Sequence, residues 1–136
     1  MDSSTNARQR SIQARAALLA SSQDAESRRA QTMIDAFVAE AAVSGPPPVP
    51  LRAQTLGRRP IRTNLRGWYL RNDHSAAVGV DGLYYFLRLP TDWLAVLRGA
   101  RPNPSPAPLV LGRGGRDGEA IDLADALKRA LAGQIP

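Results

Sequence analysis

The sequence predicts an α+β protein: an N-terminal helical arm, then a small antiparallel sheet of three to five strands with helices packed on one face. Three observations lead to this prediction. Apolar residues recur at helical spacing in the first 43 residues, an Asp81-Gly82 pair separates two apolar runs, and a second helical pattern lies near residue 130. The 136 residues are enough for one domain with its own core.

Residues 5–43 are predicted to be helical, in one or two pieces. The first piece has a narrow apolar stripe of Ile12, Ala16 and Leu19. Ser21 followed by Asp24 resembles a capping box, so a second helix is expected to start there. The second piece has the stronger apolar face: Met33, Ile34, Phe37, Val38 and Ala41. The weakly apolar first piece is therefore the candidate for contact with a partner.

Residues 44–50 (SGPPPVP) end the helical pattern with a glycine and a run of prolines. We interpret them as a stiff linker. The organisation is then an arm over 1–43, the linker, and an α+β domain over 51–136.

A hairpin is predicted at Asp81-Gly82, the strongest turn signal in the chain. A two-residue turn pairs Val80 with Leu83, and one face is then apolar throughout: Ala76, Val78, Val80, Leu83, Tyr85 and Leu87. That face is expected to be the core face. A preceding strand is predicted over 66–71, turning at Asn72-Asp73, and an edge strand over 51–56.

The last third of the sequence predicts a short helix, an irregular proline-rich loop, a strand and a final helix. Thr91 is the candidate cap of the short helix, with Trp93, Leu94 and Leu97 turned inward. The loop covers 99–108 and the strand 109–111. The final helix, over 122–132, is expected to be capped by Asp122 and ended by Gly133. Its predicted buried stripe is Leu123, Ala124, Leu127, Ala130 and Leu131.

The net charge of +6 is concentrated in one segment. Residues 1–50 and residues 73–136 each sum to zero, whereas 51–72 hold six arginines and no acid. A local excess of one sign produces a field that a dispersed charge does not. With the interleaved aromatic residues and a neighbouring arginine, the candidate binding residues are Arg58, Arg59, Arg62, Arg66, Trp68, Tyr69, Arg71 and Arg88. They indicate an acidic protein partner, nucleic acid, or a solvated surface. Trp68 and Tyr85 are expected to lie in the core, because the core needs most of the chain's seven aromatic residues.

The glycine-rich segment 112–118 lies between a predicted strand and a helix. Its residues Arg113, Gly114, Gly115 and Arg116 form a candidate anion-binding loop. The spacing matches neither the P-loop nor the dinucleotide fingerprint.

Residue types that carry much of enzyme chemistry are scarce. The chain has no cysteine and one histidine, so a disulfide framework and thiolate or His-rich metal sites are excluded. Asp73-His74-Ser75 is interpreted as a turn, because a catalytic triad assembles residues that are distant in sequence. We expect no metal, no cofactor and no enzymatic activity.

The function predicted from these patterns is a small non-enzymatic binding or adaptor protein. It would engage a larger protein partner through the helical arm and the Arg-rich segment. The alternatives are a nucleic-acid-binding protein or regulator using 51–72, an enzyme or binder acting on a phosphorylated ligand, and a homo-oligomer formed through the N-terminal helix. No membrane span is expected. A cytoplasmic location is predicted, with an organellar targeting segment at 1–22 as the alternative. Seventeen arginines against one lysine indicate a GC-rich, bacterial source.

Overall fold

The computed structural model of the chain describes residues 3–55, 59–90, 97–112 and 120–136. A long helix comes first, then four strands, a short two-stranded ribbon and a second helix. In chain order the elements are α1 (Ser3–Ser44), β1 (Val49–Ala53), β2 (Ile61–Tyr69), β3 (Ala76–Gly79), β4 (Tyr84–Phe86), β5 (Val110–Leu111), β6 (Ile121–Asp122) and α2 (Leu123–Leu131). The predicted α+β class, with its N-terminal helix and antiparallel sheet, is confirmed.

Helix α1 is one uninterrupted helix, so the predicted start of a second helix at Ser21 is wrong. The segment from Ser21 to Asp24 contains neither glycine nor proline. Serine and aspartate cost only about 0.5 kcal/mol each in a helix interior, which the alanine- and arginine-rich flanks tolerate. The helix ends at Ser44, because the three prolines that begin at Pro46 cannot continue its hydrogen-bond ladder.

The four strands β1 to β4 form one sheet in sequence order, with every neighbouring pair antiparallel. This sheet curls until its two ends meet. Beyond β1, the Gln54 nitrogen donates to the Leu87 oxygen at 2.6 Å, and the Leu89 nitrogen donates to the Gln54 oxygen at 2.9 Å. A small apolar cluster lies inside the curl: Leu51, Ala77, Tyr85 and Leu87, with Leu65 and Tyr69 beside it.

The hairpin exists where predicted, but its register differs by one residue. Val78 is paired with Tyr84, and the turn has three residues, Val80 to Gly82. Gly82 has φ 79°, as a type I turn followed by a left-handed residue requires. A one-residue shift moves every side chain of one strand to the other face.

That shift corrects the predicted core face. Tyr84, not Tyr85, packs beside Val78 under the helices, and Tyr85 points into the curled sheet. Val80 and Leu83, predicted to be buried, are exposed at the hairpin tip.

The main core lies between the outer face of the sheet and the two helices. Helix α1 contributes Ala30, Ile34, Phe37 and Ala41, and α2 contributes Leu123, Ala126, Leu127 and Ala130. The sheet contributes Trp68, Leu70, Ala76, Val78 and Tyr84. The second half of α1 is therefore part of the domain core, and Val49 and Pro50 of the proline-rich segment belong to β1.

The end of α2 follows the prediction more closely than its start. Gly133, with φ 72°, ends the helix, and the Gln134 nitrogen donates to the Arg129 oxygen at 2.9 Å, which completes a Schellman motif. Asp122 stands at the N-cap position without a side-chain capping hydrogen bond. Ala124 is exposed and Ala126 is buried in its place, because the docked face is centred on Leu123 and Leu127.

The predicted short helix is described only at its end. Thr91, Trp93 and Leu94 lie outside the described residues, while Leu97 is helical and 63% exposed, so its predicted inward orientation is wrong. None of the helices in the described part of the chain combines the length and apolar character needed to cross a membrane.

Candidate functional site

The first half of α1 extends beyond the domain. Residues 4–24 are all exposed, whereas the buried positions of the helix begin at Ala30. At 1.5 Å per residue this exposed stretch, called here the projecting helix, is about 32 Å long. Gln31 marks where the helix leaves the sheet, since its side-chain nitrogen donates to the Gly82 oxygen at 2.6 Å.

The apolar stripe of the projecting helix is aligned with the docked face of the same helix. Ile12, Ala16 and Leu19 precede Ala30, Ile34 and Phe37 by 18 residues each. Eighteen residues make five full turns of 3.6 residues, so the two sets lie on the same side. The second set is buried in the core, and Ile12 of the first set is 60% exposed. The surface that binds the domain thus continues outward, beyond any contact with the residues that the structure describes.

A second exposed surface lies on β1 and β2. Arg52 is directly opposite Arg62, and Arg66 is opposite Pro50. Ile61 and Leu65 pack in apolar clusters on the inner side. The residues that alternate with them therefore lie on the outer side: Arg62, Asn64 and Arg66. Together with Arg52 they form what we call the arginine face: Arg52, Arg62, Asn64 and Arg66, all exposed.

An irregularity in the ribbon shapes this face. Two residue steps on β1 span four steps on β2 between the pairs Pro50–Arg66 and Arg52–Arg62. The Thr63 hydroxyl fills the gap: it donates to the Leu51 oxygen at 2.6 Å and accepts from the Leu65 nitrogen at 3.1 Å. Such bulges increase the local twist of a strand pair.

Two guanidinium groups of the arginine face donate hydrogen bonds to main-chain oxygens. Arg62 donates to the Leu97 oxygen at 3.0 Å, and Arg66 donates to the Pro48 oxygen at 3.3 Å. Among the residues that the structure describes, the ion pairs are made by other arginines, and none involves Arg52, Arg62 or Arg66. Like charges opposite each other on a strand pair are destabilising, so this positive surface is not explained by stability.

Arg71 and Arg88 do not belong to the arginine face. Both pair with Asp73, at 3.7 Å and 3.5 Å. Burial raises the pKa of the Asp73 carboxyl, but hydrogen bonds from the Ser75 hydroxyl and nitrogen, then the charges of Arg71 and Arg88, lower it more. The net result is a pKa below its ordinary value. These two arginines are thus next to a carboxylate that keeps its charge.

The two aromatic candidates lie apart from the arginine face as well. Trp68 is buried, donates from its ring nitrogen to the Pro46 oxygen at 2.8 Å, and meets Phe37 edge to face at 5.4 Å. The Tyr69 hydroxyl accepts a hydrogen bond from the Arg52 nitrogen at 2.8 Å. Neither ring is presented as an open stacking platform.

The Asp73-His74-Ser75 sequence forms the turn between β2 and β3. Asp73 accepts hydrogen bonds from Ser75, while the His74 ring stacks on Tyr69 at 3.8 Å with an angle of 6°. The His74 Nε2 atom lies 2.6 Å from the main-chain oxygen of Pro136. His74 adopts φ 60°, a left-handed conformation that turns its ring away from its neighbours in sequence.

Several predicted site residues cannot be placed. Arg58 and the anion-binding loop, Arg113, Gly114, Gly115 and Arg116, lie outside the described residues. Arg59 is exposed, and its main-chain oxygen accepts a hydrogen bond from the Thr55 hydroxyl at 3.5 Å. Asn64 is a site residue that the sequence prediction missed, although it alternates with Arg62 and Arg66 in a run of extended residues.

The described residues contain no group of three or more His, Cys, Asp or Glu side chains that could hold a metal ion. Comparison of the chain with protein-family models, with curated proteins and with solved structures gave no match.

Proposed function

We propose that this chain is a small non-enzymatic binding or adaptor protein of the cytoplasm that engages a larger protein partner through its projecting helix. One observation carries the proposal: the apolar stripe of Ile12, Ala16 and Leu19 continues the docked face of α1 over an exposed stretch that contacts none of the described residues of the domain.

The chemistry of the stripe indicates what the partner surface must offer. Amphipathic helices bind partners by placing an i, i+4, i+7 row of side chains into an apolar groove or against another helix. Ile12, Ala16 and Leu19 have this spacing, and Arg8 and Arg15 lie along one border of the row. A partner groove lined by apolar side chains, with carboxylates along one rim, would complement them.

The same helix provides a matched control. Leu18 and Val43 are exposed apolar residues of α1 that lie outside the stripe, roughly 100° or more around the helix from each of its three residues. Changing them to alanine removes a comparable apolar area without touching the stripe. The Leu18→Ala/Val43→Ala variant can therefore be compared directly with Ile12→Ala/Leu19→Ala.

The test captures the partner with the full-length chain from its native cells, identifies it by mass spectrometry and measures its affinity for both purified double variants. We expect Ile12→Ala/Leu19→Ala to weaken binding by about tenfold or more, as loss of interface anchors does. The Leu18/Val43 control should stay within about twofold of the unchanged protein. Equal affinities of the two variants, or no partner recovered, would refute the proposal.

Light scattering separates a larger partner from a second copy of the chain. If the purified protein is a dimer that Ile12→Ala/Leu19→Ala converts to a monomer, the stripe binds itself. That result would replace the larger partner with self-association.

A further inference from the structure

We propose that the arginine face binds duplex DNA, with its convex side toward the major groove. This surface is separate from the projecting helix, and the proposal does not depend on a partner for that helix. It rests on the charge, the shape and the residue types of the face.

The charge of the face favours an anionic ligand. Arg52, Arg62 and Arg66 are exposed, lie on one side of two adjacent strands, and form no ion pair within the described parts of the chain. Arg52 and Arg62 are paired across the strands, so their Cα atoms are about 5 Å apart. A bound phosphate backbone would relieve the repulsion between these two guanidinium groups.

The shape suits a groove. The sheet curls around Leu51, Tyr85 and Leu87, so the opposite side of β1 and β2, which bears the arginines, is convex. The other edge of β2 is bonded to further residues, since the Ala100 and Val80 nitrogens donate to the Arg62 and Arg66 oxygens at 2.8 Å and 2.9 Å. The convex side of a wider sheet, and not a free two-stranded ribbon, would therefore meet the DNA.

The residue types favour duplex DNA over other polyanions. Arginine and asparagine are the side chains that make bidentate contacts with guanine and adenine in the major groove, and Asn64 stands between Arg62 and Arg66. Single-stranded nucleic acid is bound by stacking on exposed aromatic rings, but Trp68 is buried and the hydroxyl of Tyr69 is engaged by Arg52. Duplex RNA has a major groove too deep and narrow for side chains to read.

An acidic protein segment fits the face less well. Protein interfaces are anchored near their centre by tryptophan, tyrosine and arginine side chains that pack into well-formed pockets of the partner. In the described part of the chain the arginine face has no exposed aromatic residue. DNA, whose affinity comes mainly from phosphate contacts, needs no such anchor.

The experiment compares two triple variants of the full-length protein that lose the same charge. Arg52→Ala/Arg62→Ala/Arg66→Ala removes the arginine face, and Arg8→Ala/Arg10→Ala/Arg15→Ala removes three arginines from the projecting helix. Fluorescence anisotropy with a labelled mixed-sequence duplex of roughly 20 base pairs gives the affinity between about 50 and 200 mM salt. Circular dichroism checks that each variant is folded, and Arg52→Gln/Arg62→Gln/Arg66→Gln serves if the alanine variant is not.

We expect the unchanged protein to bind the duplex with an affinity that falls steeply with salt. Each lost phosphate contact lowers the slope of log K against log salt by about 0.9, so the arginine-face variant should lose about 2.7. The helix variant should keep the slope. Four results would overturn the proposal: no binding at low salt, equal losses in both variants, equal or tighter binding of single strands, and displacement of the DNA by poly-glutamate at equal charge.

Discussion

The docking of α1 can be tested with one residue type at two positions of the same helix. Ile34 is fully buried in the main core, and Ile12 is 60% exposed on the projecting helix. Ile34→Ala removes three carbon atoms from a site closed by both the sheet and the helices, which costs about 2–5 kcal/mol. Ile12→Ala leaves no cavity, so a change within about 0.5 kcal/mol is expected.

Urea unfolding followed by tryptophan fluorescence and by circular dichroism measures both variants. With a slope of about 2 kcal/mol per molar urea, a loss of about 3 kcal/mol lowers the midpoint by about 1.5 M for Ile34→Ala. The midpoint for Ile12→Ala should stay within about 0.3 M of the unchanged protein. Equal shifts for the two variants would mean that the projecting helix also packs on the domain, and the reasoning on its free stripe would fail.

Two further predictions concern the hairpin. Gly82→Ala should lower the free energy of unfolding by about 1 kcal/mol, because φ is 79° and alanine disfavours this conformation, while the nearest atom to an added Cβ, an Asp35 oxygen at 3.8 Å, does not clash. Gly82→Asn should lower it less, because asparagine tolerates a positive φ. Equal urea midpoints for the two variants would contradict this prediction. Burial raises the pKa of Tyr84 and of Tyr85 to about 12, and at Tyr85 the hydrogen bond and charge of Asp81 add to it. Since an unfolded tyrosine ionises near 10.0, the stabilisation from these protonated side chains is complete below pH 10 and is lost as the pH rises through about 12. An ultraviolet titration in which all tyrosines ionise together near pH 10 would disprove this.

Sequence patterns predicted the elements better than their registers. The Asp81-Gly82 pair fits both a two-residue turn and a three-residue turn that ends in a left-handed glycine. The Asp81 side chain selects the second, since its two oxygens accept hydrogen bonds from the Leu83 nitrogen at 3.0 Å and the Tyr85 hydroxyl at 2.6 Å. The Tyr85 position depends on the inner cluster of the curled sheet, which has no local signature in the sequence.

The sequence showed which segment holds the net charge, but not which of its arginines share one surface. The predicted strand began only at Arg66. The structure extends β2 back to Ile61, which puts Arg62 and Arg66 on one side, whereas Arg71 follows the strand and turns to Asp73. The burial of Trp68 was predicted, because the core needs most of the chain's seven aromatic residues, and the structure achieves it through contacts with Phe37 and Pro46.

The continuity of α1 from Ser3 to Ser44 bears on how tightly a partner can be held. Starting a helix in water is unfavourable, whereas lengthening an existing one is close to neutral for each added residue of good helix propensity. The half of α1 that is fixed in the core acts as a permanent nucleus, so residues 4–24 are already helical when a partner arrives. Association then involves little loss of backbone entropy, and even a stripe as short as Ile12 to Leu19 can contribute nearly all of its contact energy to affinity.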